Sequence, residues 1–463
     1  MIPARLQPLL DADGPAMALA SRFAGAGHSL YLVGGSLRDL LLDREAEDLD
    51  FATDARPDQI KDVVGPWADD MYLMGETFGT IGAVRHGHVY EITTFRSEVY
   101  RDESRKPRVT FSNDIETDLS RRDFAVNAMA LRLPDGSASE PSMIDPFGGL
   151  ADLAAATLRT PIDPHVSFGD DPLRMLRLYR FMSSLGFAAD PAAETAVREM
   201  NDRLGIVSAE RIRDEFAKLM VGDHVAEALE ALVASGLADR FLPEVPALAM
   251  EQDPMHRHKD VLAHTIAVVA KTSPRRVLRM AALFHDVGKP ETRDFGAKGV
   301  TFHHHEVVGA RMTRARMREL RFPKDDIRDV SQLVFLHMRP HTFKMGWTDR
   351  AVRRYVRDAG PLLDDLNELV RCDVTTRNEK RARAISRRID ELEERIEVLS
   401  AQEELSAIRP PIDGNRVMEH LGMSPGPVVG EAMGILLEHR LDHGPYSEDE
   451  ALALLDEWWA QRS

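Results

Sequence analysis

The stretch LVGGSLRDLLLDREAEDLDFATDA, residues 32–55, sets a glycine pair ahead of an arginine and then two aspartates separated by one residue. Glycines directly after an apolar strand let backbone N–H groups approach an anion with no Cβ in the way, and a helix starting there adds its positive end. Gly34 and Gly35 suit that turn, and Arg38 then falls in the first turns of the helix, placed to pair with a phosphate oxygen. In DLDFAT, Asp48 and Asp50 sit two apart, so on a strand they project from the same face. Two carboxylates forced together repel unless a cation bridges them, and Mg²⁺, a hard ion that prefers oxygen, is the natural bridge. A lone DxD reads as an ordinary polar edge strand; its place soon after GGSLRD favours the metal. Downstream, VYEITTFR brings Glu91 onto another strand, where it is either a third carboxylate of the site or an ordinary strand acid. DLSRRDFAVNAMA then offers adjacent arginines, which suit a triphosphate and equally suit surface ion pairs.

A second set lies in AHTIAVV, AALFHDVGKP, FHHHEVVGA, FLHMRP and RCDVTT, from position 263 onward. His285 and Asp286, followed by Val-Gly-Lys, resemble the signature of HD-domain phosphohydrolases. That resemblance implies His264, His285, Asp286 and Asp373 as ligands of one metal, with His305 and His337 as candidates for a second. Imidazole and carboxylate donors together suit Mn²⁺, Fe²⁺, Ni²⁺ or Zn²⁺, and Mg²⁺ where waters complete the shell. A metal held there generates hydroxide for phosphoester hydrolysis. His258, His303, His304 and His341 are left unassigned, and His304 competes with its neighbour His305.

These residues need elements to carry them. Up to about residue 150, short β-rich runs (LYLVGG, DLDFAT, TIGAVRHGHVYEITTFR) alternate with helical segments; from about 170 the pattern is almost wholly helical. The expected class is α+β: a head with a small mixed β-sheet, followed by an all-helical neck, an HD domain and a helical tail. The boundaries drawn are 1–155 for the head, 156–250 for the neck, 251–376 for the HD domain and 377–463 for the tail. Ile385, Ile389, Leu392, Ile396 and Leu399 form a narrow apolar helix seam, too short for an independent coiled coil and so expected to pack on the same chain.

At 463 residues the chain is too long for one ordinary core, and 43% hydrophobic with 29% charged residues marks it as globular rather than disordered. A single cysteine, Cys372, excludes an intrachain disulfide and fits a reducing compartment. MIPARLQPLLDADG lacks an apolar core of signal-peptide length, and no run elsewhere reaches a membrane span, so the expectation is a cytoplasmic protein with no membrane partner. A net charge of −17 argues against a generally basic nucleic-acid coat. Arginines nonetheless cluster in RMLRLYR, ARMTRARMRELR, RAVRRYVR and RNEKRARAISRR, as solvated helix faces or as stripes that meet phosphates.

GGSLRD, DLD, RRDFAVNAMA, DPFGGLADL, DDPLRMLR and SAERIRDEF occur in the order seen in class II tRNA nucleotidyltransferases, the bacterial CCA-adding enzymes, and in the related bacterial poly(A) polymerases. IRPPIDGNRVMEHLGMSPGPVVG resembles the C-terminal segment of CCA-adding enzymes that carry an HD domain. The resemblance implies template-independent addition of CCA to the tRNA 3′ end from CTP and ATP, with no obligate protein partner evident. It further implies Mg²⁺ held by Asp48 and Asp50, with Glu91 beside them, and nucleotide contacts from Gly34, Gly35, Arg38 and Arg122. In DDPLRMLRLYR, Asp171 and Arg174 are three apart and on a helix share a face, as do Arg177 and Arg180. A carboxylate accepting from an exocyclic amino group and a guanidinium donating to a ring nitrogen fit the edges of both cytosine and adenine and leave uracil and guanine unpaired. Two positions depart from the family pattern: Asp170 stands where Glu is usual, and Ala125 where a hydroxyl residue is common. The alternatives are a poly(A) polymerase, or an HD-type phosphodiesterase or phosphatase whose head grips RNA.

Overall fold

The computed structural model describes residues 4–11, 14–45, 48–73, 75–99, 108–135, 140–250, 260–296, 299–340, 347–374, 379–403 and 408–462. The chain divides into two compact units, Met1–Pro243 and Glu244–Ser463, the break falling seven residues before the boundary drawn at 250. Among the described residues no helix is long and apolar enough to cross a membrane.

The first unit carries strands β1 (Leu30–Val33), β2 (Asp48–Thr53), β3 (Asp70–Tyr72), β4 (Thr80–Arg85), β5 (His88–Thr94), β6 (Arg96–Val99), β7 (Arg108–Phe111), β8 (Ala130–Arg132) and β9 (Ser142–Ile144). A seven-stranded sheet runs β3-β4-β5-β2-β1-β8-β9, while β6 and β7 pair separately. Only the β2–β5 pair in that sheet is parallel. Both faces are covered, which is why β1 reads LYLV with every residue buried. Leu30 and Leu32 join Phe51, Tyr90 and Ile92 on one face, whereas Tyr31 and Val33 join Ala52, Phe95 and Ala130 on the other. The burial of β2 is confined to its second half, so Asp48 and Asp50 emerge where the strand leaves the core.

The helix Gly34–Leu41 begins at once after β1. Gly34 makes that turn with φ +71°, a conformation costly to any residue with a Cβ. Ser36 ties the turn to β2: its hydroxyl donates to the Val33 carbonyl at 3.0 Å and accepts from the Asp50 amide at 3.1 Å.

Helices dominate the remainder of this unit. Leu173–Leu185 packs against Ala209–Met220 and Val225–Ala234 and stops at Gly186, whose φ of +72° gives a left-handed cap. Asp171 is not on that helix. It follows the helix Pro164–Asp170 with extended backbone, and Pro172 separates it from Leu173, so the expected shared helical face with Arg174 does not exist. Proline cannot extend the preceding helix, because it lacks the N–H and disfavours helical φ/ψ at the residue before it.

Among its described residues the second unit is helical apart from the short antiparallel strand pair Asp294–Gly296 and Gly299–Thr301. Val261–Lys271, Arg276–Phe284, His305–Glu319, Lys324–Leu336 and Leu363–Cys372 pack together, and Asp349–Ala359 and Leu363–Cys372 contact the long helix Glu379–Glu403. On that helix Ile389, Leu392, Ile396 and Leu399 are buried, so the seam is satisfied within the chain; the Ile385 side chain lies outside the described residues. Gly414–Leu421, Pro427–His443 and Glu448–Ala460 close on a small core of Ile412, Val417, Ala432, Leu436, Ala451 and Leu455.

Ser36→Ala leaves the Asp50 amide without its partner. The substitution is expected to lower stability by about 1–2 kcal/mol, read as a lower urea midpoint at an unchanged slope.

Candidate functional site

Three carboxylates stand on one face of the head sheet. Asp50 lies directly across from Glu91 in the parallel β2–β5 register, and Asp48 is two residues before it. Burial pushes the Asp50 carboxyl up to about 6, with Glu91 and Asp48 adding to the rise and Arg122 and Arg38 opposing it. The glycine turn closes against this group. A Cβ on Gly34 would lie 2.8 Å from Arg122 Nη1 and 3.5 Å from Asp50 Oδ2, so the missing side chain leaves the space in which cation and carboxylate face the turn. Gly35 continues the helix, and a Cβ there would meet only the Arg38 guanidinium at ordinary contact distance, 3.6 Å. Carboxylate oxygens are the donors that a hard divalent cation takes.

Arg38 is buried and engaged inside the protein. It donates from Nε and Nη2 to Asp39 and from Nη1 to Asn127 Oδ1 at 2.7 Å. Arg122 pairs with buried Asp118 at 3.3 Å, and its Nε finds no partner.

Beyond the sheet, Asp123, Asp171, Leu173, Arg174, Arg177, Arg211, Asp214, Glu215 and Lys218 line a cavity of about 330 Å³. Asp171 and Arg174 therefore meet at a common space although they belong to different elements. Arg174 is fixed by Nη1–H bonds to the Ser167 hydroxyl at 2.8 Å and its carbonyl, and by an Nη2 bond to the Arg121 carbonyl. Asp171 accepts from Arg211 at 2.7 Å and from the Leu173 amide at 3.1 Å. Arg177 joins Asp123 to Glu215. Burial alone raises the Asp123 carboxyl, but Arg177 and the Asn127 amide hold it well below the usual range. Arg180 pairs with Glu215 at a longer 3.4 Å, and burial and Arg177 push it down to about 10.

In the second unit, His264, His285 and Asp286 gather their ligand atoms within 4.8 Å of one another, and so do Asp286, His305 and His337. Asp373 completes the cluster at 2.9 Å from His264 Nε2 and 3.5 Å from His285 Nε2. Each inner histidine has its Nδ1 on the carbonyl three residues earlier: His285 on Ala282, His305 on Phe302 and His337 on Val334. That arrangement fixes the tautomer and turns every Nε2 inward. Buried His285 Nε2 lies 3.2 Å from Asp286 Oδ2 without an aligned hydrogen bond to it, as suits a nitrogen that shares a metal ion with that carboxylate. Burial works against a charged His285, yet Asp286 and Asp373 outweigh it and raise its pKa to about 10; burial and His285 push His337 down to about 3. His304 does not compete with His305: it caps the helix in a left-handed conformation with an exposed ring. His258 and His341 lie outside the described residues.

The sequence reading missed several partners. Asp123 and Glu215 anchor Arg177, Ser36 clasps Asp50, and Lys289 Nζ sits 2.6 Å from Asp286 Oδ2. Lys289 carried a signal, three residues after Asp286 in HDVGK; Glu215 carried none, since only the fold brings it to Arg177.

Comparison with known proteins follows the same division. The poly(A) polymerase head-domain family matches residues 30–159, a probable RNA- and SrmB-binding region of polymerase A matches 186–248, and the HD domain matches 261–395. An A-adding tRNA nucleotidyltransferase of Deinococcus radiodurans is 34% identical over 442 residues, covering 92% of this chain and 95% of that protein. The chain belongs to the class II tRNA nucleotidyltransferases of the poly(A) polymerase superfamily. A CCA-adding enzyme of Lactobacillus helveticus is 36% identical over 250 residues, covering 54% of the nucleotidyltransferase described here and 59% of the Lactobacillus protein. Among solved structures, the Bacillus stearothermophilus CCA-adding enzyme in complex with CTP superposes with a TM-score of 0.67 at 25% identity, covering 100% of this chain and 99% of that one.

Two predictions follow from the two clusters. The folded-state pKa of Asp50, about 6, exceeds its ordinary value of 3.8, so the ionised carboxylate destabilises the metal-free nucleotidyltransferase above pH 6 and the cost vanishes below pH 4. Asp50→Asn is expected to raise metal-free stability by about 3 kcal/mol at pH 7.5 and by less than about 1 kcal/mol at pH 4, measured by thermal denaturation in EDTA. In the second cluster, a Cβ on Gly288 would lie 2.2 Å from the His305 carbonyl and 2.7 Å from the Gly309 amide. Gly288→Ala therefore displaces the helix that carries His305; elemental analysis is expected to show loss of bound metal, with destabilisation of about 2 kcal/mol.

Proposed function

We propose that this nucleotidyltransferase adds CCA to the 3′ end of tRNA from CTP and ATP. The observation that carries the proposal is Asp50, level with Glu91 and two residues after Asp48 on one sheet face, beside the Gly34 turn. The CCA-adding enzymes among its relatives and structural neighbours support the substrates. In this reading the four parts are a catalytic head (1–155), a base-recognising neck (156–250), an HD domain (251–376) and an RNA-binding tail (377–463), in the reducing cytoplasm that Cys372 suits.

Asp48 and Asp50, with Glu91 beside them, would hold Mg²⁺, which when bound would supply positive charge to the triphosphate and lower the pKa of the attacking hydroxyl. The tRNA 3′-oxygen attacks the α-phosphorus in line, a phosphodiester bond forms, and pyrophosphate departs. The Gly34 and Gly35 backbone and Arg122 face the triphosphate. Arg38 shapes that surface from beneath through Asp39 and Asn127. In the neck cavity Asp171 accepts from the base amino group and Arg174 donates to the ring nitrogen, with Arg177 and Arg180 completing the basic wall. The HD cluster of His264, His285, Asp286, His305, His337 and Asp373 would hold divalent Mn, Fe, Ni, Zn or Mg, which when bound would supply hydroxide for phosphoester hydrolysis.

One finding favours a second reading. The relative aligned over nearly the full chain is named for A addition alone. Purified protein is to be offered tRNA lacking CCA, tRNA ending in CC and an unrelated RNA, each with CTP or ATP. The expected outcome is CTP incorporation on the first, one ATP on the second and none on the third. Extension only of the CC-ended tRNA establishes the A-adding reading instead, and long A tails on unrelated RNA establish a poly(A) polymerase.

A further inference from the structure

A row of residues crosses the head sheet at one level: Asp50 on β2 pairs with Glu91 on β5, Glu91 with Gly82 on β4, and Gly82 with Tyr72 on β3. Directly paired residues project to the same face, so these four side-chain positions stand side by side. Strands in a sheet are about 4.8 Å apart, which places Tyr72 two strands from Glu91 and leaves one position to be crossed. Gly82 is that position. A Cβ there would lie 2.0–2.3 Å from three atoms of the Tyr72 ring, so the ring lies flat over the glycine and fills the place of its side chain. The phenol then reaches Glu91 and donates to Oε1 at 3.1 Å.

We propose that Tyr72 is a positioning residue for Glu91, fixing the third carboxylate of the cluster beside Asp50 through this hydrogen bond. The proposal rests on the reading of Glu91 as part of the nucleotidyl-transfer site. A carboxylate turns freely about its last torsion unless a donor holds one oxygen, and Tyr72 is the donor here. The arrangement also accounts for a glycine in the middle of a strand, where glycine has an entropic cost and offers nothing to pack.

The test is a cycle of Tyr72→Phe, Glu91→Ala and the double variant, with Gly82→Ala beside them. Mn²⁺ binding to the nucleotide-free protein is followed by electron paramagnetic resonance, and kcat and KM for nucleotide addition are measured in parallel. Tyr72→Phe keeps the ring over Gly82 and removes one oxygen. It is expected to weaken Mn²⁺ binding and lower kcat by about tenfold, at unchanged KM for tRNA and an unchanged melting temperature. On the Glu91→Ala background it is expected to change neither quantity, and Gly82→Ala, which evicts the ring, should reproduce the loss. Full Mn²⁺ affinity and kcat in Tyr72→Phe, or an equal loss with and without Glu91, overturns the proposal while leaving Glu91 in its role. Unimpaired addition by Glu91→Ala removes that role and the proposal with it.

Discussion

Asp48, Asp50 and Glu91 are held together by the sheet itself, against their mutual repulsion. The parallel β2–β5 register places Asp50 opposite Glu91, and the same register buries Phe51 and Ile92 one residue further along. A slip of one residue would relieve the acids and turn those apolar side chains to the wrong face. Burial of the core therefore sustains an electrostatic strain that the sequence does not relieve. Burial first, then Glu91 and Asp48, raise the Asp50 carboxyl to about 6 despite Arg122 and Arg38. The surrounding features serve this cluster: Gly34 gives up its side chain, Ser36 bonds the Asp50 amide, and Asp118 anchors Arg122.

The histidine cluster meets a similar demand by different means. Asp286 and Asp373 are surrounded by imidazoles and by Lys289, so opposite charge is built in beside the acids. Precision there comes from three Nδ1–H bonds to backbone carbonyls, two of them helical, each spanning three residues. Two of those histidines follow a helix directly, His285 and His337, while His305 opens one. Ligand geometry is thus set by helix termini, whose position depends on close contacts such as Gly288 against the His305 carbonyl.

What could be read from the chain alone follows from where each constraint lies. The GGSLRD turn and the DLD strand are local, and strand, glycine turn and helix appear in the order their spacing implies. The apolar seam of Glu379–Glu403 is likewise periodic and local. Asp171 was misplaced because helical spacing was carried across Pro172, which ends one helix before the next begins. The Tyr72 to Glu91 contact had no sequence signal, since it depends on the order β3-β4-β5 and on a glycine between them. His304 and His305 are neighbours in type and number, and only the left-handed backbone of the first separates an exposed cap from a buried ligand candidate.

In the proposed reaction the neck must choose a base without a template, and the rigidity of its side chains bears on what that choice can be. Arg174 is clamped by Ser167 and the Arg121 carbonyl, and Asp171 by Arg211 and the Leu173 amide, so neither is free to change its hydrogen-bonding direction cheaply. A fixed acceptor and donor reject uracil and guanine, whose groups are reversed at those positions. They do not separate cytosine from adenine, which present the same amino and ring-nitrogen pattern. Discrimination between adding C and adding A must therefore arise from the room available to a pyrimidine or a purine, or from where the RNA end lies. Relatives with A-adding and CCA-adding activity can for this reason share such a pair, and a difference in specificity is to be sought in the cavity wall around Arg177, Asp214 and Lys218 rather than in Asp171 or Arg174.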